Sequence, residues 1–175
     1  NSFGIITFYK HGGSTRYYEK DKHADYSLIK KASYNNLTTF AGFGITNRLS
    51  LEGELGYFIN KTQKYNTQPE YTLKGFGFSN LILSARYKLY AENFKRIFLT
   101  GALGIKVPCA RNPQSVNHVE LPVELQPTLG AFGIVLNTAF VKENSGRGLR
   151  FFLTNRIETN FANKNEYQLG TSIFS

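Results

Sequence analysis

The chain has 175 residues, a formal net charge of +9, one Cys and no Trp or Met. This length is typical of one domain, residues 1–175. The sequence contains no run of about 18 apolar residues, so it predicts no transmembrane helix. Lys and Arg are scattered rather than gathered into a nucleic-acid-binding motif, so we expect no nucleic-acid partner. The lack of Met is what we expect if an initiator and a leader segment precede this sequence.

Regular alternation of apolar and polar residues predicts the main elements. Across residues 48–59, odd positions such as Leu49 and Leu51 are apolar, whereas even positions include Glu52 and Glu54. Successive side chains of a strand point to opposite faces, so this pattern predicts a strand with one apolar and one charged face. Similar patterns predict eight strands and no helix. In chain order they are residues 2–11, 36–46, 48–60, 78–91, 96–107, 131–142, 148–161 and 165–174.

The predicted strands are long, and the connections between them alternate in length. Most of the segments run about 10–14 residues, whereas ordinary strands have about 5–6 and a tilted transmembrane strand needs about 9–11. The long connections are residues 12–35, 61–77 and 108–130, and the short ones are residues 46–47, 92–95, 143–147 and 162–164. Short turns at one end and long loops at the other are typical of outer-membrane barrels, although the last connection is short where a long one is expected.

We therefore predict an all-β fold, an antiparallel up-and-down transmembrane β-barrel of eight strands, or of up to twelve if strands lie beyond the ends of the sequence. The competing interpretation is a soluble up-and-down barrel, whose apolar side chains point inward and whose charges face water. In a membrane barrel the polar set fills the lumen instead. Such a barrel of eight strands has room inside only for side chains, so its charges are expected to pair. The predicted lumenal charge network consists of Glu52, Glu54, Arg86, Lys88, Arg150, Arg156 and Glu158.

No motif predicts catalysis. His11, His23 and His118 are far apart in the sequence, and His118 with Glu120 is the one pair that suits acid–base chemistry or a metal in a long loop. A membrane-embedded lipid-modifying enzyme using His118 or His11 is therefore the weakest of the alternatives. The single Cys109 excludes an intrachain disulfide and a zinc site built on several thiolates. We expect no catalytic residue, no metal site, no cofactor and no enzymatic activity.

Two short segments resemble a known family. Residues 43–51 read Phe-Gly-Ile-Thr-Asn-Arg-Leu-Ser-Leu, which is similar to the aromatic-Gly-(Ile/Leu)-Thr-(Asp/Asn)-Arg-Leu-x-Leu hairpin of bacterial outer-membrane proteins. Residues 121–130 read Leu-Pro-Val-Glu-Leu-Gln-Pro-Thr-Leu-Gly, similar to a segment between central strands of the phenol-degradation-associated transporter family. Over about residues 36–174 the chain resembles this family of outer-membrane β-barrels, whose members are typically longer.

The resemblance implies a porin-like integral protein of the outer membrane of a Gram-negative bacterium that transports small apolar or aromatic molecules. Eight strands favour a structural subunit of an outer-membrane complex, whereas ten or twelve would favour transport. The expected partners are outer-membrane lipid and lipopolysaccharide, whose phosphates the basic residues of the first long loop would contact, and other outer-membrane proteins. Those basic residues are Arg16, Lys20, Lys22, Lys30 and Lys31. The alternative function is a soluble β-barrel that binds a hydrophobic ligand.

Overall fold

The structure of the chain is a computed structural model that describes residues 2–15, 17–19, 22–24, 28–110, 112–144, 146, 148–163 and 170–174. Its strands are β1 (Ser2–Ser14), β2 (Tyr17–Glu19), β3 (Lys22–Ala24), β4 (Ile29–Gly44), β5 (Leu49–Tyr65), β6 (Tyr71–Glu92), β7 (Ile97–Pro108), β8 (Ser115–Val116), β9 (Val119–Glu120), β10 (Gly133–Asn144), β11 (Leu149–Asn160) and β12 (Ser172–Phe174). A short 3-10 helix, Val123–Leu125, precedes β10. Within these described ranges, no helix is long and apolar enough to cross a membrane.

Eight of the strands form one antiparallel sheet in the order β1-β4-β5-β6-β7-β10-β11-β12. Each strand of this sheet pairs with the strand that follows it along the chain, apart from two small hairpins, β2–β3 and β8–β9, that lie within connections. The prediction of an all-β fold with an eight-stranded antiparallel sheet is therefore confirmed.

The hairpin of β5 and β6 is longer than predicted. Its ladder continues to the pair Tyr65 and Tyr71, so the prediction of a long connection over residues 61–77 is wrong. The register shifts twice between Leu55 and Lys61. Because a β-bulge changes which residues point to which face, the alternation of β5 is interrupted between Phe58 and Lys61.

The predicted strands at the two ends differ from the described ones. β1 extends to Ser14, beyond the predicted end at residue 11. Of the predicted strand over residues 165–174, the last part is described as β12, and residues 165–169 lie outside the described residues.

One row of directly opposed residues crosses all eight strands of the sheet, and every member is apolar. The row consists of Phe3, Phe43, Leu51, Ala85, Leu103, Leu136, Ile157 and Ile173. Directly opposed residues lie on the same face of a sheet, which we call the outer face. Phe3 is 69% exposed, Leu103 62% and Ile173 68%. The outer face therefore presents a continuous apolar surface to its surroundings.

The opposite face, which we call the inner face, is polar and partly buried. A neighbouring row on this face consists of Gly4, Gly42, Glu52, Ser84, Gly104, Val135, Glu158 and Ser172. The buried residues Ile82, Ala102 and Val135 also lie on it. Acidic, small and buried side chains thus share the face that turns away from solvent.

The sheet is curled around its inner face. Glu54 on β5 and Arg156 on β11 are separated by four strand spacings, about 19 Å along a flat sheet, yet their side chains are 2.7 Å apart. Phe8 and Lys10 on β1 also line cavities that include Phe174 on β12. Among the described residues the sheet is not closed, since no ladder joins β1 to β12.

Candidate functional site

Four charged side chains from three strands meet inside the curl, and we call them the ion-pair layer: Glu54 on β5, Lys106 on β7, and Arg156 and Glu158 on β11. Arg156 donates through Nη1 to Glu54 Oε2 at 2.7 Å and through Nε to Glu158 Oε1 at 2.6 Å. Lys106 Nζ donates to Glu158 Oε2 at 3.0 Å. These side chains are only 12–25% exposed, so their charges depend on one another for compensation.

A second ion pair lies beside this layer on the same face. Arg86 on β6 contacts Glu52 on β5 with both ends of its guanidinium group, Nε to Oε1 at 2.5 Å and Nη2 to Oε2 at 3.0 Å. The remaining Nη1 donates to Thr100 Oγ1 on β7 at 3.0 Å. Bidentate pairing fixes the orientation of both side chains, so Arg86 also ties three neighbouring strands together.

The structure brings together five of the seven residues in the predicted lumenal network: Glu52, Glu54, Arg86, Arg156 and Glu158. The other two predicted members do not join them, as described next.

Arg150 lies near the end of the β10–β11 ladder, where it pairs with Glu143 at the rim and has a 68% exposed side chain. Lys88 makes no ion pair within the described part of the chain. Sequence reasoning missed Lys106, although the alternation of residues 96–107 places it on the polar face and could have identified it.

The connection between β7 and β10 folds into one end of the curl, and we call residues 112–132 the inner loop. Leu125 is 1% exposed, and the buried Gln126 accepts from the Gln114 amide and donates to the carbonyls of Gln114 and Leu121. Lys61 on β5 donates to the Gln126 carbonyl at 2.8 Å. The inner loop is thus held in place by hydrogen bonds among its own residues and by the hydrogen bond from Lys61 of the sheet.

Gly75 is needed where the inner loop meets β6. A Cβ at this position would lie 2.0 Å from the Leu125 carbonyl oxygen. Gly75→Ala is therefore expected to displace the loop, exposing Leu125 and breaking the Lys61 hydrogen bond, at a cost of about 2–3 kcal/mol in unfolding free energy. Urea unfolding measures this cost, and limited proteolysis of residues 112–132 locates it.

The matched control is Gly53→Ala on β5, whose Cβ would have Leu83 Cδ2 at 3.8 Å as its nearest neighbour. This ordinary contact predicts a change within about 0.5 kcal/mol. Equal effects of the two substitutions, with no new cleavage in the inner loop of the Gly75 variant, would contradict the packing role of Gly75.

Two open cavities lie on either side of the ion-pair layer. One, of about 800 Å³, lies between the layer and the inner loop and is lined by Lys61 and Gln126. The other, of about 930 Å³, lies on the side of Glu52 and Arg86. Glu54 and Arg156 line both. The layer therefore divides the interior into two compartments with charged walls.

His11 and His118 lie apart from this interior. His11 lies on the edge strand β1, where its Nδ1 is 2.8 Å from Asn35 Oδ1, and His118 lies in the turn between β8 and β9 with a φ of 65°. The side chain of His23 is outside the described part of the structure. In the described residues, no group of three or more His, Cys, Asp and Glu side chains is placed to hold a metal ion.

No protein-family model matches the sequence, and the search of curated proteins finds no match. The resemblance of residues 43–51 and 121–130 to a transporter family therefore stays a prediction.

Proposed function

We propose that this chain is a non-enzymatic, integral outer-membrane β-barrel protein whose interior is crossed by a layer of ion pairs, acting as a structural subunit of an outer-membrane complex. The observation that carries the proposal is the row of eight apolar residues across the outer face, opposite an inner face that holds the ion pairs. A soluble barrel needs the reverse arrangement, with apolar side chains inside and charges in water.

The size of the apolar surface supports this proposal. On β5, outer-face positions from Leu49 to Ile59 are apolar or glycine. The ten steps from Leu49 to Ile59 extend about 33 Å along the strand, or about 25 Å in height at a tilt of about 40°. The apolar band of an outer-membrane barrel is about 25 Å tall.

Aromatic side chains lie near the upper end of the band. Tyr9, Leu37, Tyr57 and Phe78 form one cross-strand row, and the Tyr9 hydroxyl donates to Asn35 Oδ1 at 2.6 Å. Asn35 lies beyond this row, where the neighbouring residues are polar. Aromatic side chains between an apolar band and a polar cap are typical of the girdle at a membrane interface.

Insertion requires closure, because unpaired sheet edges are not stable in hydrocarbon. Strands in a closed barrel are tilted, so the register shifts between the last strand and the first. Phe174 belongs to the cross-strand row that begins at Ser2, yet it lines cavities with Phe8 and Lys10, six and eight residues further along β1. The direction of this offset is the one that closure of β1 against β12 requires.

Transport of small molecules is the second candidate. The observation that favours it is the pair of cavities separated by a layer of four side chains. Ion conductance by the wild-type protein in a planar bilayer would favour this candidate over the structural role. A soluble barrel that binds a hydrophobic ligand is disfavoured, because charged side chains such as Glu52, Arg86 and Arg156 line the cavities.

The proposal is tested by disulfide formation between β1 and β12 in a Cys109→Ser background. Phe174→Cys is combined with Phe8→Cys or Lys10→Cys, and the protein is folded into phosphatidylcholine vesicles. In a closed barrel, one of these pairs is expected to come within the Cα distance of about 7 Å that a disulfide allows. Non-reducing gels detect the bond, and flotation shows whether the protein stays with the vesicles.

Ser2→Cys with Phe174→Cys is the control, because the offset keeps these two positions apart. A monodisperse protein in buffer without detergent or lipid, with no disulfide in either test pair, would overturn the proposal. Vesicle-bound protein with a disulfide in one test pair and none in the control supports it.

A further inference from the structure

Beyond the aromatic row, the outer face of β4, β5 and β6 carries three lysines close together. Lys31 is directly opposite Lys64, and Lys64 is directly opposite Thr72. Lys74 is opposite Thr62, which places it diagonally from Lys64. The adjacent Gln63 is buried and faces inward, so Lys64 and its partners face outward. We call Lys31, Lys64 and Lys74 the lysine triad.

The arrangement of the triad is unfavourable for the protein alone. Like charges directly opposite each other on antiparallel strands are destabilising, and side chains in diagonal positions are still within reach of long residues. The described residues near the triad supply one carboxylate, Glu70 in the turn between β5 and β6. It binds Lys64 at 2.6 Å and Lys30 at 3.0 Å.

Glu70 does not neutralise the triad. The hydrogen bonds from Lys64 and then Lys30 hold the pKa of Glu70 below its ordinary value, so it remains ionised and engaged with these two lysines. Lys31 and Lys74 have no acidic partner in the part of the chain that the structure describes. The exposed ammonium groups of Lys31 and Lys74, next to that of Lys64, are therefore available to bind an anion from outside the chain.

We propose that the lysine triad binds the phosphate of an anionic membrane lipid headgroup. The inference rests on the proposed function, which sets the height of the triad relative to the bilayer. Thr62 and Lys64 are three and five residues beyond Ile59, about 8–13 Å above the apolar band at the same tilt. Lysine side chains at this height extend toward the headgroups while their stems cover apolar surface.

A phosphate group suits the triad because it carries negative charge and several strong acceptor oxygens. Each Lys near an anionic membrane surface contributes about a five-fold gain in affinity. Loss of all three is therefore expected to weaken lipid binding by about 100-fold. Lys31 is the most informative position, since it both opposes Lys64 and has no carboxylate partner in the described ranges.

The test uses the full chain folded in neutral detergent micelles, with bisphosphorylated lipid A added in increasing amounts. Binding is measured as the increase in the urea midpoint. The test variant combines Lys31→Gln, Lys64→Gln and Lys74→Gln. The control combines Arg48→Gln, Lys95→Gln and Lys142→Gln, which remove the same charge near the short turns at the other end of the sheet.

Lipid A is expected to stabilise the wild type and the control equally, and the triad variant about 100-fold more weakly. Lys31→Gln alone is expected to have opposite effects on two quantities. Without lipid A it leaves the stability unchanged or raises it, because it removes the repulsion with Lys64. It nevertheless lowers the affinity for lipid A. This reversal separates binding from a merely structural role.

Four results would overturn the proposal. The first is equal lipid A affinity in the wild type and the triad variant. The second is the same stabilisation by inorganic phosphate as by lipid A, which indicates a free anion as the ligand. The third is a wild type that does not enter micelles, which overturns the proposed function as well. Entry into micelles without any lipid A effect overturns the headgroup proposal alone.

Discussion

Leu103→Arg is expected to lower the free energy of unfolding of the chain in a lipid bilayer by about 2–4 kcal/mol. Leu103 lies on β7 in the middle of the apolar outer row, directly opposite Ala85 and Leu136, and is 62% exposed. An Arg facing lipid near the bilayer midplane costs about 2–4 kcal/mol in an outer-membrane barrel. Since a domain is typically stable by about 5–15 kcal/mol, this cost is a large fraction of the total. Urea titration of the vesicle-folded protein measures it.

The matched control is Phe94→Arg. Phe94 is 96% exposed, but it lies in the turn between β6 and β7, beyond the apolar band. The same substitution there is expected to change stability by less than about 0.5 kcal/mol. In a soluble protein both positions would face water, and Leu103→Arg would be as harmless as Phe94→Arg. Equal, small effects of the two substitutions would therefore contradict membrane insertion.

The strands were predictable because their alternation is local. In β5, Leu49, Leu51, Glu52 and Glu54 already assign each position to one of two faces, and no distant contact is needed for this assignment. The extension of β5 and β6 was not predictable, because bulges near Phe58 interrupt the alternation. Periodicity therefore predicts which strands form, and not how far a bulged hairpin continues.

The sequence predicts which charged residues line the candidate site, but not which of them pair with one another. Alternation places Glu54 and Arg156 on polar faces, but their contact depends on the curl that brings β5 to β11 across four strand spacings. Arg150 has the same parity as Arg156, yet it lies near the ladder end, where Glu143 at the rim is its partner.

Up to residue 130, the inner loop shows no periodic pattern. Its position depends on Gly75, which allows Leu125 to approach β6, and on the Lys61 side chain. These are contacts between residues distant in sequence, and the pattern within residues 112–132 contains no trace of them.

Arg156→Met is expected to have the largest effect of any single substitution in the ion-pair layer. It leaves Glu54 without its partner and Glu158 with Lys106 alone, inside an interior where Glu54 is 21% exposed. Breaking a buried pair by removing one partner costs about 3–5 kcal/mol, because the remaining charge is uncompensated. The free energy of unfolding from urea titration is the measurement.

Two further variants distinguish this charge effect from a loss of packing. Arg96→Met removes an arginine that pairs with Glu143 at the rim with a 53% exposed side chain, and it is expected to cost no more than about 1 kcal/mol. Adding Glu54→Gln to Arg156→Met is expected to restore about half of the lost stability, since it removes the orphaned carboxylate. Packing loss alone predicts no such recovery. If Arg156→Met costs as little as Arg96→Met, the layer does not hold β5 to β11, and the interior is open enough for water to screen its charges. A closed interior and a measurable rescue by Glu54→Gln are expected to occur together, because both require that water be excluded from the same four side chains.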